Sequence, residues 1–197
     1  MEVFPTAYFP SINYFKTLFG CKNPLIEIYE NFPKQTIRNR CEILTSNGIL
    51  TLSIPVIHSS NGKQLTKDVR IDYSKNWQID HWRAIQSAYA SAPYFEDYFE
   101  DIKLIIIENS DFLIDKNEHI LDYVESILEK NSNNSFTEKF ENKIANQKNL
   151  FLERNTSEKN YQQVFSYSKP FVQNLSILDL IFNEGPFCRK WILSSEN

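Results

Sequence analysis

Residues 37–56 read IRNRCEILTSNGILTLSIPV, and this stretch sets the class of fold. Two β-rich segments, 37–44 and 49–56, flank the turn Ser46-Asn47-Gly48. An Asn-Gly pair between apolar segments is the strongest short-range sequence signal for a β-hairpin. A chain with this hairpin is not all-helical, and its class then depends on what the neighbouring segments form.

Further strands are predicted on both sides of the hairpin. Residues 25–29 form a short apolar segment with Glu27 inside it. Residues 68–73 alternate charged and apolar side chains, the pattern of a strand with one polar face. We expect an N-terminal strand, residues 25–29 and residues 69–73 to belong to one sheet.

Helical patterns dominate the second half of the chain. One helix is predicted from a cap at Ser74 to about Tyr89, a second is opened by Pro93, and a third begins at Asp115. These helices carry apolar residues at helical spacing, so each is expected to cover the sheet with one face.

The chain from residue 131 onward combines a polar segment with a clear final helix. Residues 131–160 are rich in Asn, Lys and Glu, and we interpret them as a polar, mobile insertion. Ser135-Phe136-Thr137-Glu138 matches a capping box and predicts a helix inside it. A strand is predicted for residues 161–167. Near the end, Ser176 is the expected N-cap, Asp179 completes its capping box, and Gly185-Pro186 ends the helix.

The length and composition of the chain indicate a single domain with a hydrophobic core. The chain has 197 residues, of which 42% are hydrophobic and 14% aromatic, enough for one domain with a true core. We predict a single α/β domain over residues 1–197, in which helices cover a mixed sheet and the C-terminal half is more helical.

Charge and motifs exclude several functional classes. The net charge is -4, so the chain has no basic footprint for nucleic acid or an anionic membrane. The longest purely apolar run covers only residues 104–107, too short for a membrane span of about 20 residues. Residues 1–5 lack the pattern of a signal peptide. The four glycines form neither a dinucleotide-binding motif nor a phosphate-binding loop.

The cysteines indicate the compartment. Cys21, Cys41 and Cys188 are an odd number at unrelated spacings, with no CxxC pair and no Cys/His cluster. We therefore expect no metal site and no cofactor, and a cytoplasmic, reducing environment.

The densest polar cluster on a predicted strand is Arg38-Asn39-Arg40. On a strand, Arg38 and Arg40 point to one side and Asn39 to the other. Two guanidiniums on one face suit a carboxylate or a phosphate, because each binds such a group with two hydrogen bonds. The alternative is a solvated edge strand whose charges discourage aggregation.

A second polar set is Asp68, Arg70 and Asp72, which would share one strand face. If that face lines a cleft, Arg70 keeps both carboxylates ionised, and an ionised Asp can accept a proton from a nucleophile. The alternative is a row of surface ion pairs that adds little to stability.

His81 lies on the apolar face of its helix with Trp77 and Ala84. Histidine suits proton transfer at neutral pH. The alternative is a core histidine hydrogen-bonded to a carbonyl or to an acid such as Asp72. We expect a neutral ring at pH 7 whose pKa lies within about two units of the usual ~6.5.

Two further candidates lie where the chain turns. Tyr8 occupies a strand-to-helix turn, the place where α/β sheets hold ligands, and it could stack on a sugar or fill space beneath the helix. Glu184 could place a carboxylate at a pocket rim, or it could simply belong to the helix end.

Many segments of this chain resemble the short form of the WbqC-like family, in order and over most of its length. The matching segments are Pro5-Thr6-Ala7-Tyr8-Phe9-Pro10, 29–31 with Lys34, Arg38-Asn39-Arg40, Leu52-Ser53-Ile54-Pro55-Val56, 67–74, Trp77, His81-Trp82-Arg83, Tyr89, Ala92-Pro93-Tyr94-Phe95, 161–165 and 174–186.

The resemblance implies a role in building bacterial surface polysaccharides such as O-antigen. By association, the family is implied to transfer an amino acid, such as glycine, onto a sugar. The resemblance adds Lys34 and Trp77 to the substrate-binding candidates. Many members begin with His-Gln-Pro, where this chain has Phe4, Pro5 and Thr6, so any role of that histidine is absent here.

Three functional hypotheses follow. The first is a cytosolic acyl or aminoacyl transferase acting on a sugar or sugar nucleotide. In it, Arg38 and Arg40 hold an anionic donor, and His81, oriented by Asp72 or Asp68, is the base. No GxSxG serine occurs, so attack would proceed without a covalent intermediate. The alternatives are a non-catalytic module for an anionic small molecule and a protein-interaction domain that uses residues 131–160.

Overall fold

Three short parallel strands form the central sheet of the computed structural model, which describes residues 2–59, 63–141 and 160–193. They are β1 (Val3–Pro5), β2 (Leu25–Glu27) and β5 (Ser135–Phe136), in the order β1-β2-β5. Parallel neighbours need a crossover connection, and α1 (Ile12–Gly20) supplies the one between β1 and β2.

The predicted hairpin is present as a separate two-stranded antiparallel sheet. Its strands are β3 (Arg40–Thr45) and β4 (Gly48–Ser53). The two-residue turn places Thr45 opposite Gly48, whose φ of 111° is one that glycine adopts without strain. This register fixes Arg40 opposite Ser53 at the other end of the hairpin.

Five further helices follow α1 along the described chain. They are α2 (Trp77–Tyr89), α3 (Phe95–Ile107), α4 (Leu113–Leu128), α5 (Ile177–Glu184) and α6 (Cys188–Ile192), with 3-10 turns at Thr66–Asp68 and Gly185–Phe187. The predicted α/β class is confirmed, in a single domain with parallel and antiparallel pairing in separate sheets. None of the helices in the described ranges is long and apolar enough to cross a membrane.

The end of α5 agrees with the prediction for Gly185-Pro186. Gly185 has a φ of 51°, and a Cβ built there would lie 2.4 Å from ring atoms of Tyr94. Both the conformation and the close approach therefore require glycine. By contrast, α2 begins at Trp77, with Asn76 rather than Ser74 at the N-cap position.

The predicted third strand of the sheet is wrong. Residues 69–73 form isolated bridges, with Arg70 opposite Phe112 and Ile71 opposite Val56, instead of a continuous ladder. The two bridges join this segment to different parts of the chain, so it pairs with each of them at a single residue and does not form a strand of the sheet.

The strand that completes the sheet is β5, where a helix was predicted. Ser135 N donates to Pro24 O and Thr137 N to Ile26 O, so backbone pairing with a distant segment replaces the local capping box. The rest of the predicted helix falls in 142–159, outside the described residues. The strand predicted for 161–167 is also wrong, since 164–168 form turns.

Candidate functional site

Three of the predicted site residues form a buried aromatic layer. Tyr8 follows β1 in the loop that leads to α1, while Trp77 and His81 lie one turn apart on α2. The ring centroids of Tyr8 and His81 are 5.6 Å apart, and those of Trp77 and His81 are 5.0 Å apart. All three side chains are buried.

Both ring nitrogens of His81 are hydrogen-bonded to protein groups. Nε2 accepts the backbone N–H of Ser53 at 3.1 Å, and Nδ1 lies 2.9 Å from the Tyr8 hydroxyl. A backbone N–H can only donate, so Nε2 carries no proton. The neutral ring therefore bears its proton on Nδ1 and donates it to the Tyr8 oxygen, which leaves no nitrogen free for a substrate.

The surroundings of His81 keep the ring uncharged. Burial lowers the pKa of His81 to about 4, so the ring is neutral at pH 7, as expected. The pKa nevertheless falls further below the usual value than the sequence predicted. Asp72 does not orient the ring, because its carboxylate accepts the N–H of Ser74 at 2.8 Å, a bond that lowers the pKa of Asp72.

Arg40 is joined to this layer through Ser53. The half-buried Arg40 begins β3, and its Nε donates to the Ser53 hydroxyl at 2.9 Å across the hairpin. In the described part of the chain, no acidic side chain lies within ion-pair distance of Arg40. Ser53 thus contacts His81 with its backbone and Arg40 with its side chain.

Ser53 was not among the residues singled out in the sequence. A two-residue Asn47-Gly48 loop would pair Arg40 with Pro55, whereas the observed loop residues are Ser46 and Asn47, so that Gly48 pairs with Thr45 and Arg40 lies opposite Ser53. The contact between Ser53 and His81 could not have been predicted, since it depends on how α2 packs against the hairpin.

Arg38 and Arg40 do not share a strand face. The strand begins only at Arg40, and Arg38 lies in the preceding turn with its side chain buried. Arg38 Nε donates to Glu30 at 2.5 Å, and Nη1 donates to the Thr36 hydroxyl at 3.2 Å. Asn39 fixes this turn to the hairpin by donating to Ile54 O at 2.9 Å. The interior of the protein therefore already supplies a carboxylate to Arg38.

Within the described ranges, Asp68, Arg70 and Lys34 form no hydrogen bond, ion pair or ring contact with the aromatic layer. Asp68 ends a 3-10 turn, so it does not share a strand face with Arg70 and Asp72 as predicted. The guanidinium of the exposed Arg70 lies 4.9 Å from the Phe112 ring, and Lys34 is exposed.

Glu184 belongs to the C-terminal part of the fold. Its carboxylate accepts the Trp191 Nε1 proton at 2.7 Å and lies 3.3 Å from the Lys190 ammonium. These partners come from α6, and they tie the end of α5 to the helix that follows it.

Asp179 has a different role from the predicted one. It is fully buried, and its carboxylate accepts hydrogen bonds from Tyr89, Tyr161 and Gln163. Burial raises the pKa of this carboxyl. The N-cap of α5 is made by Ser176 alone, whose hydroxyl accepts the Leu178 N–H. Asp179 therefore joins residues 161–163 to α2 and α5 rather than completing a capping box.

Among the residues that the structure describes, no group of three or more His, Cys, Asp or Glu side chains could hold a metal ion. Cys21, Cys41 and Cys188 are free thiols. Burial raises the pKa of the Cys21 thiol to about 12, so this thiol is not activated as a nucleophile.

The profile of the WbqC-like protein family matches residues 6–156, more than half of the chain. This chain belongs to the WbqC-like protein family. The match includes the loop with Tyr8, the hairpin and α2, so every member of the aromatic layer falls inside it.

One curated relative of this WbqC-like protein is the uncharacterized protein Rv1507c of Mycobacterium tuberculosis. The two are 26% identical over 108 residues, which cover 55% of this chain and 46% of the relative. The aligned region thus spans about half the length of that protein. No solved structure matches this chain.

Proposed function

We propose that this WbqC-like protein binds an anionic small molecule through Arg40. The strongest support is that the Arg40 guanidinium is fixed by a hydrogen bond at Nε while its other N–H groups have no carboxylate partner among the described residues. The Ser53 hydroxyl accepts this hydrogen bond. A guanidinium fixed along one edge presents parallel N–H groups that match a carboxylate or a phosphate.

The hydrogen bonds that fix the position of Arg40 favour ligand binding. Ser53 is fixed by His81, and His81 is fixed in turn by Tyr8. Because these groups are already ordered, the free protein loses little side-chain freedom when a ligand binds Arg40. In this proposal His81 is a positioning residue: it orients Ser53, and Ser53 orients Arg40.

The ligand class that we propose is a sugar nucleotide or another anionic sugar derivative. Within the reaction that the family resemblance implies, the protein would transfer an acyl or aminoacyl group, such as glycyl, to that sugar in surface-polysaccharide biosynthesis. If His81 served as the base, it would have to give up the bond to Ser53 or to Tyr8. The carboxylates of Asp68 and Asp72 stay candidates for the proton acceptor.

A non-catalytic binding module is the second candidate, and one observation favours it. The histidine expected to act as base uses both of its nitrogens within the protein and has a pKa of about 4. A protein that only binds its ligand needs no group that titrates near neutral pH.

Calorimetric titration with uridine diphosphate glucose tests the binding proposal. We expect Arg40→Gln to weaken binding by about tenfold or more, the effect of losing a charged hydrogen bond. Arg83→Gln is the matched control, because Arg83 is exposed on α2 and its loss changes the net charge equally. Equal effects of the two substitutions, or no binding by the wild type, would contradict the proposal.

The reaction is tested separately by mass spectrometry of protein purified from its native host. A transferase is expected to carry an anionic sugar derivative and to convert it when an aminoacyl donor is supplied. A binding module is expected to carry the same molecule and return it unchanged. A protein that carries no anionic ligand in the wild-type form would contradict both.

A further inference from the structure

The hairpin face that carries Arg40 has a second polar row beside it. The register pairs Arg40 with Ser53 and Glu42 with Thr51. Side chains two residues apart on a strand point to the same face, and the hydrogen bond from Arg40 Nε to the Ser53 hydroxyl confirms that these two side chains share it. Glu42 and Thr51 therefore lie on the Arg40 face, about 7 Å farther along the strands.

Solvent reaches this second row from the Arg40 face. On the opposite face of the hairpin, Cys41 and Leu52 are buried in the core. By contrast, Glu42 is half-buried and Thr51 is exposed. The backbone at Glu42 is also fixed, because its carbonyl oxygen accepts the N–H of Ser176 at 2.9 Å. A ligand bound to Arg40 can thus extend over Glu42 and Thr51 without any opening of the fold.

The two rows offer opposite chemistry to a ligand. The Arg40 guanidinium only donates hydrogen bonds, whereas a carboxylate such as that of Glu42 only accepts them. A phosphate beside Glu42 would be repelled, so the anionic end of a ligand is directed to Arg40. Hydroxyl groups favour the Glu42 end, because they donate charge-assisted hydrogen bonds to a carboxylate. The Thr51 hydroxyl has no hydrogen-bond partner within the described ranges and can add a further bond there.

The polar part of this face ends after the second row. The next pair in the register is Leu44 opposite Ile49, and Ile49 is 42% exposed. Beyond the anion, polar contacts are therefore limited to the single row of Glu42 and Thr51. One row of this length matches one sugar ring attached to the phosphate.

We propose that Glu42 and Thr51 form the sugar-recognition end of the Arg40 site, where the Glu42 carboxylate accepts hydrogen bonds from the hydroxyls of one uncharged hexose. This assignment rests on the anion site proposed above, and it adds the orientation of the ligand and the need for a neutral sugar. Glu42 is then a specificity-determining residue. A uronic acid in place of the hexose is disfavoured, because its carboxylate lies beside that of Glu42.

Calorimetric titration with uridine diphosphate glucose and uridine diphosphate glucuronic acid tests this inference. The two ligands differ only at C6 of the sugar, where the second carries a carboxylate. We expect the wild type to bind the glucuronic acid form at least about threefold more weakly. Equal affinities for the two ligands would overturn the sugar-recognition end while leaving the anion site intact. If neither ligand nor uridine diphosphate binds, the anion site is absent and this inference fails with it.

Glu42→Gln and Glu96→Gln form the matched pair of variants. Both make the same substitution, but Glu96 is exposed in the first turn of α3. We expect Glu42→Gln to weaken the binding of uridine diphosphate glucose about fivefold, to strengthen that of the glucuronic acid form and not to weaken that of uridine diphosphate. Glu96→Gln is expected to change none of the three.

Two results with the variants would contradict the role of Glu42. One is an equal effect of Glu42→Gln and Glu96→Gln. The other is a loss of all three ligands in Glu42→Gln, which indicates damage to the hairpin rather than to sugar recognition. If Glu42→Gln does not fold, the comparison of the two sugar nucleotides in the wild type decides alone.

Discussion

At the residue scale, the surroundings of His81 determine its protonation state and which groups its ring nitrogens bind. The sequence placed it correctly on the buried face of α2 and predicted a neutral ring. It could not show that Ser53 and Tyr8 use both nitrogens, because those partners come from segments 28 and 73 residues away. The environment thus turns a candidate base into a buried connection between the hairpin and the loop after β1.

Replacing His81 by glutamine is expected to destabilise the fold. Glutamine is flexible and can restore only part of the bonding to Ser53 and Tyr8. We expect the free energy of unfolding in urea to fall by about 1–3 kcal/mol. Unchanged stability together with a complete loss of turnover would instead support the role of His81 as a base.

The same residue makes stability depend on pH. The usual pKa of ~6.5 applies to the unfolded chain, whereas the folded protein binds this proton only near a pKa of about 4. Between these values the unfolded chain binds more protons, so stability falls as the pH is lowered. Relative to His81→Gln, the wild type is expected to lose about 3 kcal/mol from pH ~7 to pH ~4. A stability difference that stays constant over this range would contradict the buried, neutral ring.

The two arginines of the Arg38-Asn39-Arg40 cluster are expected to behave differently. Arg38→Ala leaves the buried Glu30 without its guanidinium, and breaking such a pair costs about 3–5 kcal/mol. Arg40→Gln removes a half-buried group that has no carboxylate partner among the described residues, and it is expected to change stability by less than about 1 kcal/mol. Thermal unfolding of both variants checks this contrast, and similar losses would contradict the separation of the two side chains.

At the scale of elements, a helix or strand could be predicted where the interactions that determine it lie close together in the sequence. The turn segment Ser46-Asn47-Gly48 determines the hairpin within a few residues, so the sequence predicts the hairpin and the structure confirms it. Strand β5 has only two residues, and its partner β2 lies more than 100 residues away in the chain. A local capping box was therefore the stronger sequence pattern there, although backbone pairing decides the structure.

The end of α3 depends on a buried lysine that the sequence did not identify. Lys116 is fully buried, and its ammonium donates to the backbone oxygens of Ile105 and Glu108. Burial lowers its pKa to about 8. A cation at a helix C-terminus satisfies carbonyls that have no partner within the helix.

We expect Lys116→Met to destabilise the protein by about 1–3 kcal/mol, because two carbonyls lose their donor. Lys103→Met is the control, since Lys103 lies on the same helix and its ammonium contacts the Glu100 carboxylate and the Trp82 and Phe99 rings rather than the carbonyls at the helix end. Urea unfolding measures both. Equal stability of the two variants would show that the ammonium does not hold the end of the helix.

At the scale of the whole molecule, distant segments converge on the loop after β1. Asn117 on α4 reaches Thr6, His81 on α2 reaches Tyr8, and Ser176 donates to Phe9 O. The α/β class and the helical second half could be predicted from the Asn-Gly turn and the spacing of apolar residues. Which polar residues meet could not, because that depends on the packing of these helices around one loop.

The central claim is that Arg40 contacts an anion from a fixed position, and NMR of the arginine Nε–Hε groups tests it most directly. As uridine diphosphate glucose is added, the Arg40 resonance is expected to shift along a saturable curve. The resonances of Arg38, which pairs with Glu30, and of the exposed Arg83 are expected to stay in place. An Arg40 resonance that does not move while the ligand binds, or one that moves no more than that of Arg83, would contradict the account.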